Sequence, residues 1–153
     1  MSFAVTSQKI PTQRVITRGG HIKVDRLDDF IVESLDLLKA QVAANGGKVN
    51  GTPMGIYHGP INNEDDGPLQ VAVPVDAALK IGGEYEITDL AGGDFAVAEA
   101  RGADCAFPAI LGAYDAVAHW IQKQGREMVG SPREVWHEPF GEKAHLQIMW
   151  QYK

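Results

Sequence analysis

One stretch of the chain combines residue types that could hold a charge against a ligand: Gly130-Ser-Pro-Arg-Glu-Val-Trp-His-Glu138. Gly130, Ser131 and Pro132 read as a turn. Arg133 to His137 read as a short strand whose side chains alternate. Glu134 and Trp136 then share one face, and Val135 and His137 share the other. A carboxylate beside an indole is an unusual core pair. If that face is buried, Glu134 needs a partner, and a ligand can be that partner. If it is solvated, Glu134 is an ordinary surface acid. A buried Glu either stays ionised against a cation or, with a raised pKa, acts as an acid or base. Each well-placed aromatic neighbour adds roughly 0.5–2 kcal/mol of cation–π attraction.

Other constellations are weaker. His137-Glu138 opens like a zinc motif, but His145 comes too late for H-E-x-x-H and Pro139 breaks the helix such a site needs. The acidic run between Ile61 and Pro68 lacks the spacing of a calcium loop and reads as a solvated turn. The Gly82-Gly83 and Gly92-Gly93 pairs match no phosphate-binding pattern and read as turns. No nucleophile elbow is present. The single cysteine, Cys105, has no recognisable base beside it and reads as a structural or incidental thiol. No metal and no cofactor is expected.

The elements that must position Glu134 follow from periodicity. Residues 1–12 read as a loose lead-in. Gln13 to Thr17 form a strand. Asp25 to Ala44 form a helix, capped by Asp25, with Leu27, Phe30, Ile31, Ser34, Leu35, Leu38, Gln41 and Val42 on one stripe. Asn45-Gly46-Gly47 stops it. Strands follow at Met54–His58, Leu69–Val75, Tyr85–Thr88 and Asp94–Arg101. A second helix, Ala106 to Lys123, carries Phe107, Ile110, Leu111, Tyr114, Val117, Ala118 and Ile121 on one stripe, with Pro108 in its first turn, Trp120 on its flank and His119 opposite. Ala144 to Gln151 form the last strand.

The 153 residues carry a net charge of −6 and are 44% hydrophobic. That balance fits one soluble globular domain and disfavours a general nucleic-acid or anionic-membrane binder. No apolar run approaches the roughly 20 residues of a membrane span, and Met1 to Arg14 lack a signal-peptide core. A reducing, cytoplasmic setting is expected.

The two halves, about 13–80 and 81–153, resemble each other. Gly51-Thr-Pro-Met-Gly-Ile-Tyr-His58 aligns with Gly130-Ser-Pro-Arg-Glu-Val-Trp-His137, and Leu69-Gln-Val71 with Leu146-Gln-Ile148. His58 and His137 therefore correspond, which implies a shared structural role such as a turn hydrogen bond. The expected fold is α+β, a duplicated β-α-β-β module with pseudo-twofold symmetry and a central ligand cleft. Gly55 in one copy faces Glu134 in the other: space against charge.

The chain then resembles the GyrI-like family, also found as the effector-binding domain of multidrug-sensing transcription regulators. The resemblance rests on Val73-Pro-Val75, Leu90-Ala-Gly-Gly-Asp-Phe-Ala-Val97, Ala100-Arg-Gly102, His119-Trp-Ile121 and Pro132-Arg-Glu-Val-Trp136, and spans about residues 13 to 152. It implies a cleft lined by aromatics with Glu134 inside it. The candidate ligand-binding residues are Glu134, Trp136, Tyr57, Trp120 and Tyr114, with Trp150 and Tyr152 behind them. In multidrug sensors of this kind the Glu neutralises cationic aromatic drugs. In stand-alone relatives it is catalytic in hydrolysis of cyclopropane-bearing genotoxins, which here implies Glu134 with Tyr57. Gyrase-inhibiting members imply a protein partner such as a topoisomerase. Where the family has Gly-Pro-Tyr, this chain has Gly102-Ala103-Asp104, so the usual aromatic is missing there. No helix-turn-helix segment accompanies the module. A small-molecule-binding protein is the leading expectation, and the hydrolase and the protein-directed inhibitor are the alternatives.

Overall fold

The computed structural model describes residues 3–61, 64, 66–76 and 85–153. The Gly82-Gly83 turn lies outside them, as do Asn62, Asn63 and Asp65 of the acidic loop. In chain order the elements are β1 (Val5–Ile10), β2 (Gln13–Ile22), α1 (Leu27–Ala44), β3 (Met54–Tyr57) and β4 (Gly67–Pro74). They continue with β5 (Glu86–Leu90), β6 (Gly93–Arg101), α2 (Leu111–Lys123), β7 (Met128–Glu138) and β8 (His145–Tyr152). Every described strand pairing named below is antiparallel, and the class is α+β. No helix among the described residues is long and apolar enough to cross a membrane.

The chain divides into two compact units, Thr12–Ala91 and Met1–Pro11 with Gly92–Lys153. The division falls later than residue 80, because β5 pairs with β2 and so belongs to the first unit.

In the first unit the strands run β3-β4-β2-β5. α1 buries Ile31, Ser34, Leu38 and Val42, half of the expected stripe. Burying a side chain such as Leu38 contributes roughly 1.5–3 kcal/mol. Ser34 sits in that stripe because its hydroxyl accepts from Arg18 Nη1 at 3.0 Å. α1 ends as expected: the Gly47 N–H donates to the Val42 carbonyl and the Gly46 N–H to Ala43, with Gly46 at φ 72°, a Schellman motif. Its start differs. A short 3-10 turn, Val24–Arg26, precedes it, and Asp25 makes no capping hydrogen bond.

β2 runs five residues beyond the expected Thr17, through Gly19 and Gly20. Gly20 is there for contact rather than for a turn. A Cβ on it would lie 2.9 Å from the Phe30 ring, which is stacked under the Arg18 guanidinium at 4.9 Å. Gly20→Ala should therefore cost about 1–2 kcal/mol, the overpacking outweighing the backbone-entropy gain. The expected result is a fall of roughly 2–8 °C in the thermal midpoint by circular dichroism.

In the second unit the strands run β1-β6-β8-β7. Val5–Ile10, read as part of a loose lead-in, pairs along its whole length with β6, from Ala98 to Gly93. α2 contacts β6 and β8. It starts at Leu111 rather than Ala106, since Gly102–Cys105 form a 3-10 turn and Pro108 stands before the helix instead of in its first turn. Its buried residues are Ala113, Val117 and Ile121, while Leu111 and Phe107, both placed on the stripe, are exposed. α2 closes with the same motif as α1, Gly125 N–H to Gln122 and Arg126 N–H to Ile121.

Gly130-Ser131-Pro132 is not a turn that opens a strand. It lies inside β7, where the register to β8 slips between Val129 and Arg133 and Gly130 takes φ 68°. This is a bulge, and it re-aims the residues that follow it.

Candidate functional site

β7 presents Glu134 and Trp136 on one face, opposite Ile148 and Leu146 of β8. α2 covers that face. On β6, Ala98 pairs with Ile148 and Ala100 with Leu146, so the small side chains of the alternation lie beneath the helix and let it approach. Tyr114, in the first turn of α2, reaches down to the sheet. Its hydroxyl donates to Glu134 Oε2 at 2.6 Å. The indole Nε1 of Trp136 donates to Glu134 Oε1 at 3.0 Å. Each carboxylate oxygen thus has a donor. Glu134 is 8% exposed and Trp136 3%. The acid is therefore buried on the face that alternation assigned to it, not solvated.

Both of these donors are neutral. They stabilise the ionised carboxylate and fix its plane, but they bring no opposite charge. The charge of Glu134 is felt at Cys105, in the 3-10 turn before α2. Burial pushes the Cys105 thiol above its ordinary value, a hydrogen bond with the Leu146 backbone pulls the other way, and the charges of Glu134 and Asp104 add to the rise while Arg101 opposes it. A thiol held protonated is a poor nucleophile. The Cys105 thiol is therefore biased towards its protonated, weakly nucleophilic form.

Three sequence candidates, Glu134, Trp136 and Tyr114, are brought together in this way. Trp120 packs edge-on against the Tyr152 ring at 5.5 Å, and Tyr152 is hydrogen bonded to Ser7. Trp150 donates from Nε1 to the Gly130 carbonyl at 3.0 Å, tying β8 to the bulge that precedes Glu134. Tyr57 belongs to the first unit, half-buried at the end of β3 opposite Leu69.

The other face of β7 carries a different set. The Arg133 guanidinium lies 4.7 Å over the Phe95 ring, and burial pushes it below its ordinary value without removing its charge. His137 is hydrogen bonded to Gln147 Oε1 at 2.8 Å and stacks on His145, which is bonded to Glu99. In the first unit His58 is bonded to Gln70 Oε1 at 2.9 Å. The two corresponding histidines thus share a structural role, a clasp onto the glutamine of the neighbouring strand rather than a turn bond. Removing the Tyr114 hydroxyl tests the clasp on the site face. Tyr114→Phe leaves one oxygen of a buried carboxylate without this donor and should cost about 1.5–3 kcal/mol, read as a lowered midpoint in urea unfolding at pH 7.

No family model matches the chain, and no curated protein matches it. Solved structures do. The C-terminal domain of EcmrR is 14% identical over 100% of this chain and 99% of that domain, with a TM-score of 0.82. Against EcmrR in its DNA complex the chain spans only 57% of the larger protein, with a TM-score of 0.83. SAV2435 bound to tetraphenylphosphonium is 18% identical over 100% of this chain and 94% of its own, with a TM-score of 0.56. A hydrolase from Listeria innocua is 9% identical over 99% and 93%, with a TM-score of 0.68. At these identities the likeness is one of fold, and it is consistent with a GyrI-like fold.

Proposed function

We propose that the chain binds hydrophobic aromatic cations, with Glu134 as their charge partner. The observation that carries this is the buried carboxylate held on each oxygen by a neutral donor, Tyr114 and Trp136. Donors so placed favour and orient the ionised form, so a cation that reaches the carboxylate meets a strong local field. Trp136 and Tyr114 add aromatic surface beside the charge, and Trp120 of α2 is proposed as a further contact. Tetraphenylphosphonium, bound to a protein of similar fold, is the natural probe. At a hundredfold excess over its Kd, a ligand that binds only the folded state stabilises it by about 2.7 kcal/mol. Tetraphenylphosphonium should therefore raise the thermal midpoint by several degrees. A midpoint that stays flat up to millimolar probe contradicts the proposal.

A second reading has one observation in its favour, the similarity of fold to a Listeria hydrolase. In it Glu134 takes a proton from a water whose oxygen bonds to a carbon of the strained ring, a ring C–C bond breaks, and the proton passes to the carbon so released. Its mark is turnover of a cyclopropane-bearing electrophile beyond one equivalent per protein, lost in Glu134→Ala. Stoichiometric binding without product excludes it.

A further inference from the structure

We infer that the first unit offers an open strand edge to another protein, whose extended segment adds to β2 and sets a basic residue opposite Gly19. β2 outruns one of its neighbours. Residues 18–22 pair with residues 67–71 of β4 on one side. On the other side β5 begins at Glu86, opposite Thr17. Among the described residues, no strand pairs with residues 19–22 there. A depression of about 730 Å³ takes in residues 17–21 together with Tyr85 and Glu86.

The ladder fixes which backbone groups face this open side. The Val75 N–H donates to the Arg14 carbonyl, so Arg14 turns its backbone towards β4. In an antiparallel ladder every second residue does the same. Ile16, Arg18, Gly20 and Ile22 therefore bond β4, and Gly19 and His21 turn their N–H and C=O groups the other way. The prolines of β4 agree. Pro74 and Pro68, with no N–H to give, lie opposite Val15 and His21, outside the bonded pairs. Gly19 and His21 are both exposed. An added antiparallel strand would bond each of them twice, as sheet-edge peptide binders do. Natural edges are blunted by lysine, proline or a bulge. Residues 19–22 are Gly-Gly-His-Ile, paired with β4 in unbroken register, and carry none of these.

Charge and shape select the occupant. Gly19 is not required by its own surroundings: a Cβ there would meet only the Leu69 carbonyl, at 3.9 Å, and its φ is not positive. Glycine within a strand often marks the close approach of a ligand or another backbone. Directly opposed residues share a face. The side chain opposite Gly19 would thus lie over bare backbone, on the face that Glu86 shares with Thr17. Two residues of strand separate it from Glu86, about 7 Å, which a lysine stem spans. Glu86 is exposed, and no ion pair engages it among the described residues. On the opposite face Arg18 is already held by Glu33 at 3.3 Å, and the part-exposed Leu37 of α1 offers apolar contact. The segment that fits therefore alternates, apolar towards α1 and basic beside Glu86.

The test is an NMR titration of the whole chain with the peptide Ac-Thr-Val-Thr-Val-Lys-NH2, whose Lys falls opposite Gly19 and whose central Thr falls opposite His21. One equivalent should bind with a Kd of about 1 mM or tighter, with the largest amide shifts at Gly19 and His21. N-methylation of that Lys and Thr removes two donors, keeps the side chains and should weaken binding about tenfold. Replacing the Lys by Glu should weaken it severalfold. Gly19→Pro deletes a donor that the β4 ladder does not use and should weaken binding about as much, with circular dichroism to check its fold; the two altered peptides decide the matter if it does not fold. No saturation by about 10 mM, largest shifts elsewhere, or equal affinity for either altered peptide overturns the proposal. So does a shift of the same two amides on raising the protein concentration alone, which assigns the edge to a second copy of the chain.

Discussion

Glu134→Gln should reduce the affinity for tetraphenylphosphonium by about a hundredfold. Removing one partner of a buried charge pair costs about 2–5 kcal/mol, and glutamine keeps the size of the side chain while deleting the charge. The shape of the site is retained, so the loss reports the charge alone. The same substitution should leave the unliganded protein as stable as before, or more so. The desolvation cost of a buried anion disappears, and a glutamine oxygen still accepts from Tyr114 or Trp136. A loss of binding with undiminished stability is the pattern of a group kept for a ligand. Calorimetric titration and thermal melts of the two proteins check both halves. Unchanged affinity in Glu134→Gln removes the charge role.

Trp136→Ala should be the most destabilising substitution at the site. The indole is 3% exposed, opposite Leu146 on β8. Truncating a buried Trp to Ala costs about 3–5 kcal/mol in lost contacts and residual cavity. The Nε1 donor to Glu134 Oε1 goes with it, leaving that oxygen of a buried carboxylate short of a bond it has in the native fold. The thermal midpoint should fall by roughly 6–20 °C. Trp136→Phe separates the two causes. It retains most of the apolar bulk but not the N–H, so its cost should be the smaller, about 1.5–3 kcal/mol. If Phe and Ala destabilise equally, the hydrogen bond dominates; if Phe is neutral, the indole acts only as filling.

Much of the frame that holds these residues is written in local pattern. The α1 and α2 stripes, their glycine stops and the placement of Glu134 and Trp136 on one strand face all follow from spacing of 3.6 or 2. Glu134 stood out because Gly55 occupies its place in the matching segment. What local pattern does not carry is long-range pairing. Val5–Ile10 is mostly polar and mostly exposed, and becomes a strand only because β6 offers an edge about 90 residues away in sequence. Gly130-Ser-Pro132 has the composition of a turn, and only the slip against β8 makes it a bulge. Tyr114 falls on the α2 stripe with other core residues; that its hydroxyl meets Glu134 depends on how the helix crosses the sheet. The Asp25 cap fails for a related reason. The 3-10 turn shifts the start of α1 to Leu27, which takes Asp25 out of the capping position.

The central claim is that Glu134 is the charge partner of a bound aromatic cation. A crystal structure of the chain with tetraphenylphosphonium tests it most directly. The account predicts the cation seated against the Glu134 carboxylate, with Trp136 and Tyr114 in contact. A cation bound elsewhere, with none of its atoms near Glu134, would contradict it.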